Sequence, residues 1–368
     1  MLKQFKKIIA GWFATGLTII LSISVAGCLG GAGTSASTTP SAADVAAITA
    51  TQIALYSDQQ IAALGNNISQ LSNAALGALT YTTLAADPQH STGQIESISA
   101  AQIAALSPAQ VRYIGSTGAG GATTTSLIQY LNTGAWAALV ANQAQVAAIT
   151  AAEIPTLWDS EIVAIGANFN YLSNAALGAL TYTSLAATQN HGAGQIESIT
   201  ATEIAKLTPA QVRLLGSTGV GGATTTSTIV YLNSGTWSTL VSDPAQVAAI
   251  TPAEIATLTI NASEKTTSIG TNIGHLSDAA LGSLTGNTSG VSNGGQIQAL
   301  SAAQITALTP AQIGIIAAIN VPAGGSTVSG ISLLNTGAFG SLNASQIAIL
   351  TTSEKASLSA GQHTSCGC

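Results

Sequence analysis

His363, Cys366 and Cys368 stand within one short stretch of chain, an imidazole and two thiols in a His-x-x-Cys-x-Cys pattern. That set can hold a soft metal ion, close into a strained disulfide, or link two molecules. Three ligands on a fraying chain end make a poorly preorganised site, so oxidised or incidental thiols are expected and no metal is assigned. Other candidates are weaker. His90 and His191 occupy matching loops, but Asp87 beside the first is replaced by Thr188 beside the second. A catalytic pair needs a stable carboxylate partner, so both read as exposed loop histidines. Glu96, Glu153, Glu197, Glu203 and Glu254 recur, yet nothing selects two of them as the paired carboxylates of a hydrolase. The Gly-rich loops around Gly118 and Gly219 lack the Gly-Lys-Ser/Thr of a phosphate loop and the Gly-x-Gly-x-x-Gly of a dinucleotide site. Trp136, Trp237 and Phe339 fall at equivalent positions and are the possible ligand contacts. Exposed, they would stack on sugar rings or a protein partner; buried, they would plug a gap in the packing. No catalytic residue and no cofactor are assigned, and the expectation is that the chain is not an enzyme.

The elements that must position these groups come from an eight-residue grammar. A Ser or Thr is followed by two small residues, a Gln or Glu, an aliphatic, two small residues and a second aliphatic, as in Ser99-Ala-Ala-Gln102-Ile103-Ala-Ala-Leu106. On one continuous helix the apolar stripe would spiral around the surface, and on a strand successive aliphatics would point to opposite faces. The chain must therefore break once per unit. Ser107 reads as N-cap, Pro108 as the first helical residue and Gln110 as the third, with Leu106 and Val111 as a hydrophobic staple. The same box recurs at Thr208-Pro209-Ala210-Gln211, Thr251-Pro252-Ala253-Glu254 and Thr309-Pro310-Ala311-Gln312. Helices of one or two turns are unstable alone, so neighbours must stack over a shared aliphatic core. The expected fold is mainly α, a repeat solenoid of short capped helices with minor β where the octads break; a β-solenoid is the alternative.

A longer period of about 101 residues overlies the octads. Val45-Ala-Ala-Ile48 returns at 146–149 and 247–250, and Gln94-Ile95-Glu96-Ser97-Ile98 returns at 195–199 and, altered, at 296–300. The expected organisation is a repeat over 44–144, a second over 145–245, a third over 246–345, and a partial repeat with a tail over 346–368. Each breaks once, first at the Gly and Thr cluster of 115–126, whose glycines mark a loop or turn, while the run from its threonines through Leu127-Ile-Gln-Tyr-Leu131 reads as a short strand.

At the start, Lys3, Lys6 and Lys7 precede an apolar run from Ile8 to Ser24, and Val25-Ala26-Gly27 places small residues before Cys28. This has the layout of a signal peptide over 1–27. Its ending resembles the lipobox of bacterial lipoproteins. That resemblance implies cleavage before Cys28, lipidation of Cys28, and, with Leu29 next, sorting to an outer membrane. Residues 28–43 read as a flexible tether of small residues. Without residues 1–27 the chain keeps five basic and fourteen acidic side chains, so nucleic acid is not an expected partner. The Leu-Thr-x-x-Gln-Ile-x-x-Leu units also resemble the short repeats of adhesin-like bacterial surface proteins. The implied function is a lipid-anchored protein displayed at the cell surface, acting in adhesion, scaffolding or self-association on a protein or glycan partner. A glycan-binding or glycan-cleaving lipoprotein that uses the break loops and their Trp residues is the second expectation.

Overall fold

The structure is a computed structural model that describes residues 39–81, 93–116, 125–182, 194–217, 228–258, 262–287, 295–323 and 326–368. Cys28, the signal segment, most of the tether, His90, His191, Gly118 and Gly219 lie outside the described residues. The chain divides into two compact units, 1–39 and 40–368, and the second is described below.

The second unit is mainly α. Its helices are short, running from one-turn segments such as Pro108–Val111 to the nine-residue Thr133–Ala141 and Ser234–Ser242. Many start where an octad begins. Ser107 Oγ accepts the Gln110 N–H, while Gln110 Oε1 accepts the Ser107 N–H at 3.0 Å. Thr208 with Gln211, Thr251 with Glu254 and Thr309 with Gln312 make the same reciprocal pair, each with Pro at the first helical position. Pro costs nothing there because its missing N–H would have had no intrahelical partner. The chain then leaves the helix in an extended residue, such as Leu106 (φ −74°, ψ 139°), and the next cap follows at once. Two aliphatics per octad go inward: Ile103, Leu106, Val111 and Ile114 are all buried. Burial of each such side chain contributes roughly 1.5–3 kcal/mol, which isolated helices of this length lack.

The elements recur in the same order along the chain. The 3-10 segments Gly65–Gln70, Gly166–Tyr171 and Gly270–His275 pack on the helices Ala100–Ala105, Ala201–Ile204 and Ala302–Ala307. Those helices pack in turn on Thr133–Ala141, Ser234–Ser242 and Thr336–Gly340.

Two expectations about strand are corrected. Leu127–Leu131 is not a strand: Ile128–Tyr130 forms a single 3-10 turn, as does Ile229–Tyr231. Ile128 and Leu131 are the buried pair, and a separation of three is the spacing that a 3-10 turn puts on one face. The β-solenoid alternative fails as well. Among the described residues the strands are β1 (Asn320–Ala323) and β2 (Ser326–Ser329), an antiparallel pair with Val321 opposite Val328. They lie where the third copy of the octad pattern breaks.

Glycine closes the first two breaks. Gly115 and Gly216 have φ of 67° and 63°, and their N–H groups donate to Leu76 O at 2.9 Å and Leu177 O at 3.0 Å. A Cβ on Gly216 would lie 2.2 Å from Thr228 Oγ1. Both the backbone angle and the space demand glycine there.

Candidate functional site

Buried glutamines of two kinds, some opening a turn or helix and some at the third helical residue of an octad, reach far beyond their own segment. Gln94 Oε1 accepts the Thr80 N–H at 2.9 Å, while its Nε2 donates to Ile53 O at 2.7 Å and Tyr56 O at 2.6 Å, residues 41 and 38 positions earlier. Gln195 repeats this on Thr181, Ile154 and Leu157, and Gln296 Nε2 reaches Ile255 O. Where the Gln also closes a capping box, as Gln102 and Gln346 do, Oε1 holds its own N-cap and Nε2 reaches carbonyls 38 or 41 residues back. These amides are buried; Gln94, Gln102 and Gln195 are fully so. Asn132, Asn233 and Asn335 work alike: Oδ1 caps a helix and Nδ2 donates to two carbonyls 34 to 37 residues earlier. An amide suits this because it accepts at one end and donates at the other.

Glutamate takes the Gln capping position at Glu153, Glu161, Glu203, Glu254 and Glu354. Glu153 Oε2 accepts the Thr150 N–H and hydroxyl, and its Oε1 accepts the Ser126 hydroxyl. Glu254 holds Thr251 in the same way. Glu203 Oε2 accepts the Thr200 N–H at 2.7 Å and its hydroxyl at 2.9 Å, but Oε1 is buried without a hydrogen bond of normal geometry. Burial pushes the Glu203 carboxyl up to about 7, against the pull of Thr200 and, least, of the Gly166 N–H. Burial likewise raises Glu161 to about 7, opposed by the Trp158 N–H that it accepts at 2.7 Å. These carboxylates are spread along the repeats as capping groups rather than gathered as a catalytic pair.

The three aromatic candidates are core residues. Trp136, Trp237 and Phe339 are 4%, 1% and 2% exposed. Trp136 Nε1 donates to Glu161 O at 3.2 Å, and Trp237 Nε1 donates to Lys265 O at 3.1 Å and Ser268 Oγ at 2.9 Å. Lys265 is itself buried, donates to Val230 O, and sets its ammonium 5.4 Å from the Trp237 ring centre. Burial lowers its pKa to about 8, opposed by the charges of Glu264 and Glu197. One edge of Trp136 lines a shallow apolar groove of about 370 Å³ with Val140, Ile165 and Gly166. With so little ring in contact with water, neither tryptophan offers a face on which a sugar could stack.

The exposed indole is elsewhere. Trp158, 42% exposed, stands where Ser57 stands in the preceding copy, at the N-cap of Asp159–Ile165. Val163 and Tyr171, 37% and 40% exposed, replace Ala62 and Gln70 in the same comparison. The signal was in the sequence: a tryptophan at the octad's Ser/Thr position gives up a cap oxygen. Cys366 and Cys368 form a disulfide, with His363 beside them.

No protein-family model, curated protein or solved structure matches this chain. Among the described residues no helix is long and apolar enough to cross a membrane.

Proposed function

We propose that this chain is a lipid-anchored protein displayed at a bacterial cell surface, its repeats wound as a solenoid of short capped helices, working in adhesion, scaffolding or self-association. The supporting observation is the amide ladder. Gln94, Gln102, Gln195, Gln296 and Gln346 each tie the turn or helix they stand in to backbone 38 to 41 residues away, the bonding expected when one coil of a repeat stacks on another. The polar residues that stand out in the sequence thus hold the backbone together, and what faces outward is largely small and neutral. Lipidation at Cys28 would place that surface at the envelope. The test is to label the full chain and measure its binding to intact cells and envelope fragments, together with its mass by light scattering. Binding or self-association is expected. A monomer that binds neither would overturn the proposal.

A second reading, glycan binding, is favoured by exposed Trp158 with Tyr171 rather than by Trp136, Trp237 or Phe339. Binding on a glycan array that falls in Trp158→Ala and persists in a Tyr113→Ala control would support it. No binding at all would end it.

A further inference from the structure

We propose that His363, Cys366 and Cys368 form a redox-gated site for a soft, thiophilic metal ion, best matched by monovalent copper. A flexible chain end would argue against such a site, and the structure removes that objection. The helix Ala360–Cys366 opens with a full capping box, Ser359 with Gln362. Gln362 is buried, and its Nε2 donates to Ser332 O and Leu334 O, both at 3.2 Å. The helix packs on Thr336–Gly340, and Cys366 lies against the apolar core. The last turn is therefore anchored on its inner side.

His363 and Cys366 are three apart and share a helix face. Gly367 then takes a left-handed conformation (φ 63°, ψ 29°), which folds Cys368 back toward them. The ligand atoms of all three side chains lie within 4.8 Å of one another. His363 Nδ1 is 2.9 Å from Cys368 O; a proton on Nδ1 donated to that carbonyl leaves Nε2 its lone pair, the arrangement common in metal-binding histidines. Two thiolates and one imidazole are a soft donor set. Sulfurs bound to one metal at about 2.3 Å sit about 3.8 Å apart, a separation the pair reaches only after the disulfide opens.

The chemistry balances with a dithiol reductant. Thiol–disulfide exchange moves two electrons and two protons from the dithiol to the Cys366–Cys368 bond, giving two protein thiols and the oxidised reductant. Metal binding then releases the two thiol protons to solvent. In the oxidised state the sulfurs are bonded to each other and the site is closed.

The test uses the full chain carrying Cys28→Ser, so that no other thiol competes. Cu(I) is titrated without oxygen against a chromophoric chelator, before and after reduction by a trialkylphosphine. One Cu(I) per chain is expected after reduction and none before. Cys366→Ser with Cys368→Ser should abolish binding, and His363→Ala should weaken it by about tenfold or more, as loss of a direct ligand requires; far-UV circular dichroism should not change in either. Failure of the reduced chain to bind, binding that survives the double serine variant, or an affinity unmoved by His363→Ala would each overturn the proposal.

Discussion

Gln102 and Glu203 occupy the same place in successive copies of the repeat and differ by one nitrogen. Both accept the N–H of their own helix cap, Ser99 at 2.9 Å and Thr200 at 2.7 Å. Gln102 then donates to Ile61 O at 2.7 Å. A carboxylate has nothing to donate, and Glu203 is left with a buried oxygen that has no hydrogen bond of normal geometry and a carboxyl raised to about 7. The comparison separates two tasks that the octad merges. Capping needs an acceptor and is met by either residue; tying the helix to backbone 41 residues earlier needs a donor as well, which the amide supplies and the carboxylate does not. A protonated Glu203 regains a donor, so this copy carries a titratable version of the same joint.

The largest effect that tests this contrast is expected from removing both ends of one amide. Gln195→Met keeps the volume but orphans the Thr181 N–H and the Leu157 carbonyl and takes one of two donors from the Ile154 carbonyl. Leaving buried backbone groups without partners costs roughly 3–5 kcal/mol in sum, read as a drop in the urea midpoint. Gln110→Met, where the amide is half-exposed and touches only Ser107 and Ser69, should cost about 1–2 kcal/mol; equal losses would break the account.

Next is Glu203→Gln. The folded carboxyl titrates near 7 against an ordinary value of 4.5. A raised carboxyl favours the protonated folded state, so its contribution is complete below about 4.5 and is lost as pH rises through about 7. The variant should match the parent at pH 4 and exceed it by roughly 1–3 kcal/mol at pH 8. The smallest effect is at the cap. Trp158→Ser, which restores the oxygen that Ser57 supplies in the preceding copy, should stabilise by about 1 kcal/mol. No gain would mean that the indole contributes packing the cap cannot match.

Much of the local structure could be read in the sequence, and little of the long-range structure could. Ser107-Pro108-Ala109-Gln110 announces its helix because every contact that defines the box lies within three residues. The second hand of Gln94 could not be read, because its partners are 41 and 38 residues away, a distance that matches neither the octad nor the longer period. Trp136 and Trp237 were visible as recurring aromatics, but recurrence does not say which way a ring points. Leu127–Leu131 carried strand-forming side chains, yet the buried pair Ile128 and Leu131 follows the turn. The tail showed its donor atoms plainly. What it hid was the anchor, Gln362, whose partners sit on an earlier segment.

The most direct test moves the titratable joint into the first copy. Gln102→Glu and the parent are unfolded in urea from pH 4 to pH 8, and the difference in unfolding free energy is plotted against pH. A difference that is small at pH 4 and grows by roughly 1–3 kcal/mol as pH passes from about 4.5 to 7 is the predicted result. A difference that does not change with pH, whatever its size, would contradict the claim that this side chain joins its helix to the distant Ile61 backbone through a donated hydrogen bond.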